Sequence, residues 1–206
     1  MFLAQEYAPR PEEDASSTLP LESLQQVADP HFLHNCLDSL YQLIQKDQVA
    51  ASTYMERLSQ LHAYVLEHFA KPTVAMREEL AFIRSYYELN RLRFGNHLQL
   101  KIMIPEKYHQ LEVPPMSLQL LLENSIKHNR ISAEHPLVVT MVYSPKTAEL
   151  VVANNLQELP SGPRSASTGV GHWLLTERYK MAGKTAPRIS RTEHRYEVRL
   201  PLLKRA

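Results

Sequence analysis

Leu122-Glu123-Asn124-Ser125-Ile126-Lys127-His128-Asn129 is the stretch on which the reading of this chain turns. Asn124 and Lys127 stand three residues apart and Asn124 and His128 four, so on a helix all three share one face, with Glu123 beside it. Leu118, Leu121, Leu122 and Ser125 fall on the opposite face, which predicts a helix from Met116 to His128 lying with one side on a core. The polar face admits two readings. It is the wet side of an amphipathic helix, or it is a site. In the second reading the Asn124 amide oxygen binds Mg²⁺, Lys127 and His128 neutralise phosphates, and Glu123 orients or deprotonates an incoming group.

On the C-terminal side, Leu137 to Tyr143 and Glu149 to Ala153 read as strands joined by Ser144-Pro145-Lys146-Thr147. A polar loop through Pro160, Gly162 and Pro163 follows. Ser167-Thr168-Gly169-Val170-Gly171 then leads into a helix predicted over Gly171–Met181, and Arg188–Arg191 with Tyr196–Leu200 forms a closing hairpin. Glycines two apart at a helix N-terminus offer free N–H groups and a positive dipole end to an anion; a flexible turn is the plainer reading. The chain has only 5 glycines, and all but Gly95 fall in its last quarter, so a phosphate-cradling loop belongs there if anywhere.

On the N-terminal side, Leu98 to Ile104 alternates at period two, a strand that ends before Pro105. Met76 to Phe94 is helical, with Leu80, Ile83, Tyr87 and Phe94 on one side and Gly95-Asn96 as its stop. Ala51, Tyr54, Met55, Leu58, Leu61, Val65, Leu66 and Phe69 make another helical stripe, ending before Lys71-Pro72. Leu33, Leu37, Leu40 and Ile44 make one more, within a helical pattern from Pro20 to Lys46 that Pro30 kinks or restarts. With Lys46-Asp47-Gln48 as a turn, these two helices form an antiparallel hairpin. A hairpin of this length has little core of its own. It pairs with a second copy into a four-helix bundle, or it packs on the rest of its own chain. The predicted organisation is α+β: a tail over 1–20, a helical hairpin over 21–72, and a two-layer α/β domain over 73–206.

Within the hairpin lies Asp29-Pro30-His31-Phe32-Leu33-His34-Asn35. At about 100° per residue, His31 sits roughly 120–180° from Leu33, Leu37, Leu40 and Ile44. It therefore points away from that stripe, as an ordinary surface histidine or as one offered to a partner.

The bulk composition excludes several classes. Lys plus Arg number 23 against 22 Asp plus Glu, a net charge of +1, which is not the balance of a nucleic-acid binder. One cysteine, Cys36, forbids an internal disulfide and suits a reducing compartment. No apolar run approaches a membrane span, and Gln5 and Glu6 directly after the first four residues argue against a signal peptide. A cytoplasmic location is expected.

Three motifs in this order, Asp29–Asn35, Glu123–Asn129 and Ser167–Gly171, resemble the LytS-type sensor histidine kinases, of the ATPase superfamily shared with DNA gyrase (the GHKL or Bergerat fold). Glu78-Glu79-Leu80-Ala81-Phe82-Ile83-Arg84-Ser85-Tyr86-Tyr87, Arg93-Phe94-Gly95 and Arg178-Tyr179 are similar to the same family. The resemblance runs from about Leu21 to Leu203. It implies His31 as phosphoacceptor on a dimerising hairpin, Asn124 as Mg²⁺ ligand, and Glu123 as the acidic residue of the same box. Lys127 and His128 would lie near the phosphates of ATP, with Thr168, Gly169 and Gly171 in the loop over them. It further implies transfer of the phosphate to an aspartate of a response regulator. Relatives usually carry membrane or extracellular sensing segments upstream, so this chain is expected to be the cytoplasmic end of a longer sensor or to take its signal from another chain.

The departures from that pattern fall around the adenine site. In Val151-Val152-Ala153-Asn154-Asn155-Leu156, Asn154 stands where many relatives place an adenine-binding aspartate, and Leu156 where they place glycine. Asn154 can still accept from the adenine amino group and donate to a ring nitrogen. The loop from Gln157 to Ser167 is short, and His172-Trp173 replaces the usual Leu and a small or polar residue. Three functions follow: an active histidine kinase, a degenerate kinase that serves as a dimeric docking module, or an ATPase without a phosphohistidine.

Overall fold

The computed structural model describes residues 30–157, 170–183 and 185–203, with no side chain described for residues 30–35, 170 or 171. Helix α1 runs over Pro30–Lys46 and α2 over Gln48–His68. Pro30 stands at the first position of α1, where a missing N–H costs nothing. The predicted turn narrows to Asp47 alone, whose carboxylate accepts from the Val49 and Ala50 N–H groups at 3.0 Å each and so caps α2. The two helices form the expected hairpin.

The apolar stripes of the hairpin are divided between covered and exposed residues. Cys36, Ala51, Tyr54, Leu58 and Leu61 are buried, with Leu40 and Leu43 against them. Leu37, Tyr41, Ile44, Met55 and Leu66 are exposed. One neighbouring helix covers only part of an apolar surface this wide. The covering comes from the other hairpin helix and from α3 (Met76–Phe94), on which α2 packs. Glu78 begins α3 by accepting from the Ala75 N–H at 2.9 Å, and Gly95, at φ 58°, closes it as predicted.

Beyond α3 the chain builds a two-layer sandwich. The strands are β1 (Val74–Ala75), β2 (Leu98–Met103), β3 (Glu112–Val113), β4 (Leu137–Ser144), β5 (Glu149–Asn155), β6 (Arg188–Arg191) and β7 (Arg195–Pro201). The helices are α4 (Ser117–His128) and α5 (Val170–Met181). Strands β1 and β3 pair antiparallel, a two-stranded element with no signal in the sequence pattern. The other five form one sheet in the order β2-β4-β5-β7-β6, parallel between β2 and β4 and antiparallel elsewhere. The parallel pair needs a crossover, and α4 supplies it.

The core lies between this sheet and α3, α4 and α5. Leu98, Val139, Met141, Leu150, Val152, Val198 and Leu200 meet Leu80, Ile83, Leu118, Leu122, Leu175 and Tyr179. Leu122 has no exposed surface. Leu122→Ala is expected to cost about 2–5 kcal/mol, lowering the melting temperature by roughly 5–15 °C in a chain of this size. A thermal melt followed by circular dichroism checks this. A loss below about 1 kcal/mol would mean that α4 is not seated on the sheet as described.

Candidate functional site

Helix α4 positions most of the site, because its apolar side is fixed by the core. Ser117, Leu118, Gln119, Leu121, Leu122 and Ser125 are buried, Glu123 and Asn124 are half-buried, and Lys127 and His128 are exposed. The predicted division into a covered and an open face is what the helix shows. Glu123 accepts from the Gln119 side chain at 3.1 Å, one turn earlier, which holds its carboxylate along the helix.

Ser125 joins α4 to the sheet. Its hydroxyl approaches the Leu121 carbonyl at 2.8 Å and Asn154 Oδ1 at 3.1 Å, so its one proton is shared between two acceptors. Asn154, the last residue but one of β5, is 4% exposed and also donates from Nδ2 to the Asn155 carbonyl at 2.7 Å. Asn154 thus lies directly beneath the helix of Asn124. Tyr196 of β7 is its cross-strand partner. The Tyr196 hydroxyl hydrogen-bonds His172 Nε2, and the two rings stack at 5.9 Å. Tyr196, pushed up to about 12 mainly by burial, keeps its proton.

His172 and Tyr196 are site residues that motif reading did not select. His172 stood out as a departure from the family pattern; Tyr196 alternates with Val198 and Leu200 and so reads as core. Only the register across β5 and β7 brings it beside Asn154. The neighbouring Trp173 is 48% exposed.

The far end of α4 is tied to the segment after β5. Asn129 is buried, donates to the Ser125 carbonyl at 2.8 Å and accepts from the Gln157 N–H at 2.7 Å. The Arg130 N–H donates to the Gln157 carbonyl at 2.8 Å. Asn155 accepts from the Val138 N–H and donates to the Pro136 carbonyl, fixing the same corner. Of the remaining predicted residues, His31 lies in the first turn of α1 and Gly171 at the second position of α5. Thr168 and Gly169 lie outside the described residues.

Burial lowers the proton affinity of His172; burial, the Lys127 charge and His172 lower that of His128. Both imidazoles therefore titrate below their ordinary range. The sign follows from linkage. A group that binds its proton less well when folded leaves stability intact above its unfolded value, roughly 6.5, and removes it as pH falls through the folded value. Between about pH 7 and pH 5 the melting temperature of the native chain is expected to fall more steeply than that of His172→Phe. Parallel melting curves for the two would contradict it.

An amide, an ammonium and an imidazole on one open helix face, with a carboxylate beside it, would suit a hard cation and phosphate, Asn124 offering the oxygen ligand. Residues 19–98 match the model of the family described as Histidine kinase. Those residues are similar to that family, and the chain is similar to curated sensor histidine kinases. It is 31% identical over 137 residues to an uncharacterized sensor-like histidine kinase of Staphylococcus epidermidis, covering 66% of this chain and 27% of that protein. It is 30% identical over 146 residues to the sensor protein LytS of Enterococcus faecalis, covering 70% and 25%. The chain thus spans about a quarter of the length of these relatives. Among solved structures, a bacterial phosphotransferase covers 89% of this chain and 98% of its own at 13% identity and TM-score 0.49. A histidine kinase from Burkholderia phymatum covers 91% and 100% at 14% identity and TM-score 0.46. No helix among the described residues is long and apolar enough to cross a membrane.

Proposed function

We propose that this chain is an autophosphorylating histidine kinase, taking a phosphoryl group from Mg-ATP onto His31 and passing it to an aspartate of a response regulator. The observation that carries the reading is the face of α4: Asn124, Lys127 and His128 lie on its open side while its other side is locked in the core. Mg-ATP supplies the γ-phosphoryl group and a cation that neutralises it. Asn124 offers the oxygen ligand, and Lys127 and His128 set positive or polar groups against the phosphates. Glu123 is the acceptor for the proton that the imidazole releases as its N–P bond forms and the bond to ADP breaks. In this reading Thr168 and Gly169, outside the described residues, and Gly171, in the first turn of α5, contribute to phosphate binding, and Asn154 meets the base. Phosphoryl transfer asks for positioning and charge more than covalent help, which suits a set of groups spread over one rigid helix.

The working unit in this reading is a homodimer. Leu37, Tyr41, Ile44, Met55 and Leu66 leave an apolar surface on the hairpin, which a second copy covers as a four-helix bundle. One observation favours the alternative of a degenerate docking module: Asn154 is buried, with Oδ1 and Nδ2 already engaged by Ser125 and Asn155.

Incubation of the purified chain with Mg²⁺ and γ-labelled ATP separates the two readings. Label that is acid-labile and alkali-stable is the expected result. No label at any protein concentration, together with no ATP binding by titration, overturns the kinase reading in favour of the docking module.

A further inference from the structure

A knot of buried polar groups lies where the hairpin meets the sandwich. Glu79 of α3 has no exposed surface. Its Oε1 accepts from the Tyr64 hydroxyl at 2.8 Å and from the Met116 N–H at 2.6 Å, and its Oε2 from the Leu118 N–H at 3.1 Å. The last two are free amides at the start of α4, so a carboxylate from another helix performs the task of an N-cap. Met116 sits at φ 61°, a left-handed conformation that costs a methionine on the order of 1 kcal/mol and persists only where its surroundings hold it. Tyr64 comes from the last turns of α2, stacked between the rings of His68 and Phe82, each 4.2 Å away.

The fourth side of the knot is incomplete. Arg178 of α5 is 5% exposed, lies over the Phe69 ring at 5.2 Å and donates from one Nη to the Pro115 carbonyl at 3.3 Å. Its Nε and other Nη find no acceptor among the described residues, and neither does the hydroxyl of buried Tyr179. Unpaired buried donors cost about 1–3 kcal/mol each, so an arrangement that satisfies them lies close in energy. Glu79 is within electrostatic reach of both groups.

The end of the hairpin therefore touches two buried groups of opposite charge, Glu79 through Tyr64 and Arg178 through Phe69. Glu79 holds the N-terminus of α4, and Arg178 belongs to α5; these two helices carry the candidate phosphate groups and His172. We propose that Glu79 is a positioning residue for phosphoryl transfer, through which the end of α2 sets α4 against α5. A turn of α2 that withdraws the Tyr64 hydroxyl hands the carboxylate to the free Arg178 donors. One O–H···O bond is exchanged for N–H···O bonds, and no proton changes owner. This proposal rests on the kinase reading for its purpose, and on the knot alone for its mechanics.

The test uses the full chain and Tyr64→Phe, which keeps the stacked ring and removes one donor. Hydrogen exchange is expected to rise at least about tenfold in the first turn of α4 and around Arg178, while β4 and β5 hold their protection. The kcat for His31 labelling is expected to fall about tenfold, with KM and the Kd for Mg-ATP within about twofold. Glu79→Gln adds a cycle: if the two side chains act through one contact, the double variant is no slower than the slower single one. Unchanged exchange at both helices, exchange raised evenly through the core, or losses that multiply would each overturn the proposal. Absence of label in the native chain sinks the kinase reading alone, because exchange is read without turnover.

Discussion

His31→Gln is expected to reduce acid-labile label to background, a loss of about a thousand-fold or more, with the melting temperature and the Mg-ATP Kd unchanged. Glutamine is compatible with the first turn of α1, so the helix is preserved. What it removes is a nucleophilic ring nitrogen, and an amide nitrogen is no substitute. The nucleotide groups on α4 stay in place, which is why binding survives. Two other results have definite meanings. Label that persists in His31→Gln and disappears in His34→Gln would move the acceptor one turn along α1. ATP hydrolysis that continues unchanged in His31→Gln, with no label in the native chain, would make the protein an ATPase of the same superfamily.

Asn124→Ala carries the second large effect, a fall of about a hundredfold or more in labelling, equivalent to roughly 2.7 kcal/mol of lost transition-state stabilisation. Asn124 is half-buried on the open side of α4 and outside the packed core, so the substitution should leave stability within about 0.5 kcal/mol. Alanine also favours the helix. The loss should appear as a Mg²⁺ titration shifted to higher metal concentration, measured at fixed ATP. A variant that labels at the native rate across the Mg²⁺ range would remove Asn124 from the metal site and return the face of α4 to an ordinary solvated surface.

The long elements were legible because each is specified locally. Met76–Phe94 has its period and its Gly95 stop; Leu98–Met103 has its alternation; Leu118, Leu121, Leu122 and Ser125 mark the covered side of α4. Strands β1 and β3 were not legible, since two residues cannot display a period. Nor was the split of the hairpin stripes, because periodicity says that Leu37 and Ile44 share a face without saying what covers it. The chemistry divides the same way. Asn124, Lys127 and His128 come together through spacing on one helix. Asn154 and Tyr196 meet through strand register, and Glu79 and Arg178 through the stacking of three helices, neither of which is written in any local stretch.

The sheet ends on β6, where Arg188, Ile189, Ser190 and Arg191 all face water. Its outer edge presents backbone donors and acceptors that no further strand among the described residues takes up in the order β2-β4-β5-β7-β6. Ile189, 48% exposed, would suit a strand from another molecule. Arg188, held to Glu149 at 2.7 Å, and Arg191 stand at this edge, and a second β6 arriving antiparallel would bring one opposite the other. Colloidal behaviour should follow from this edge. Dilute salt keeps molecules apart, and ionic strength well above about 0.15 M, by shortening the reach of those charges, favours edge-to-edge aggregation.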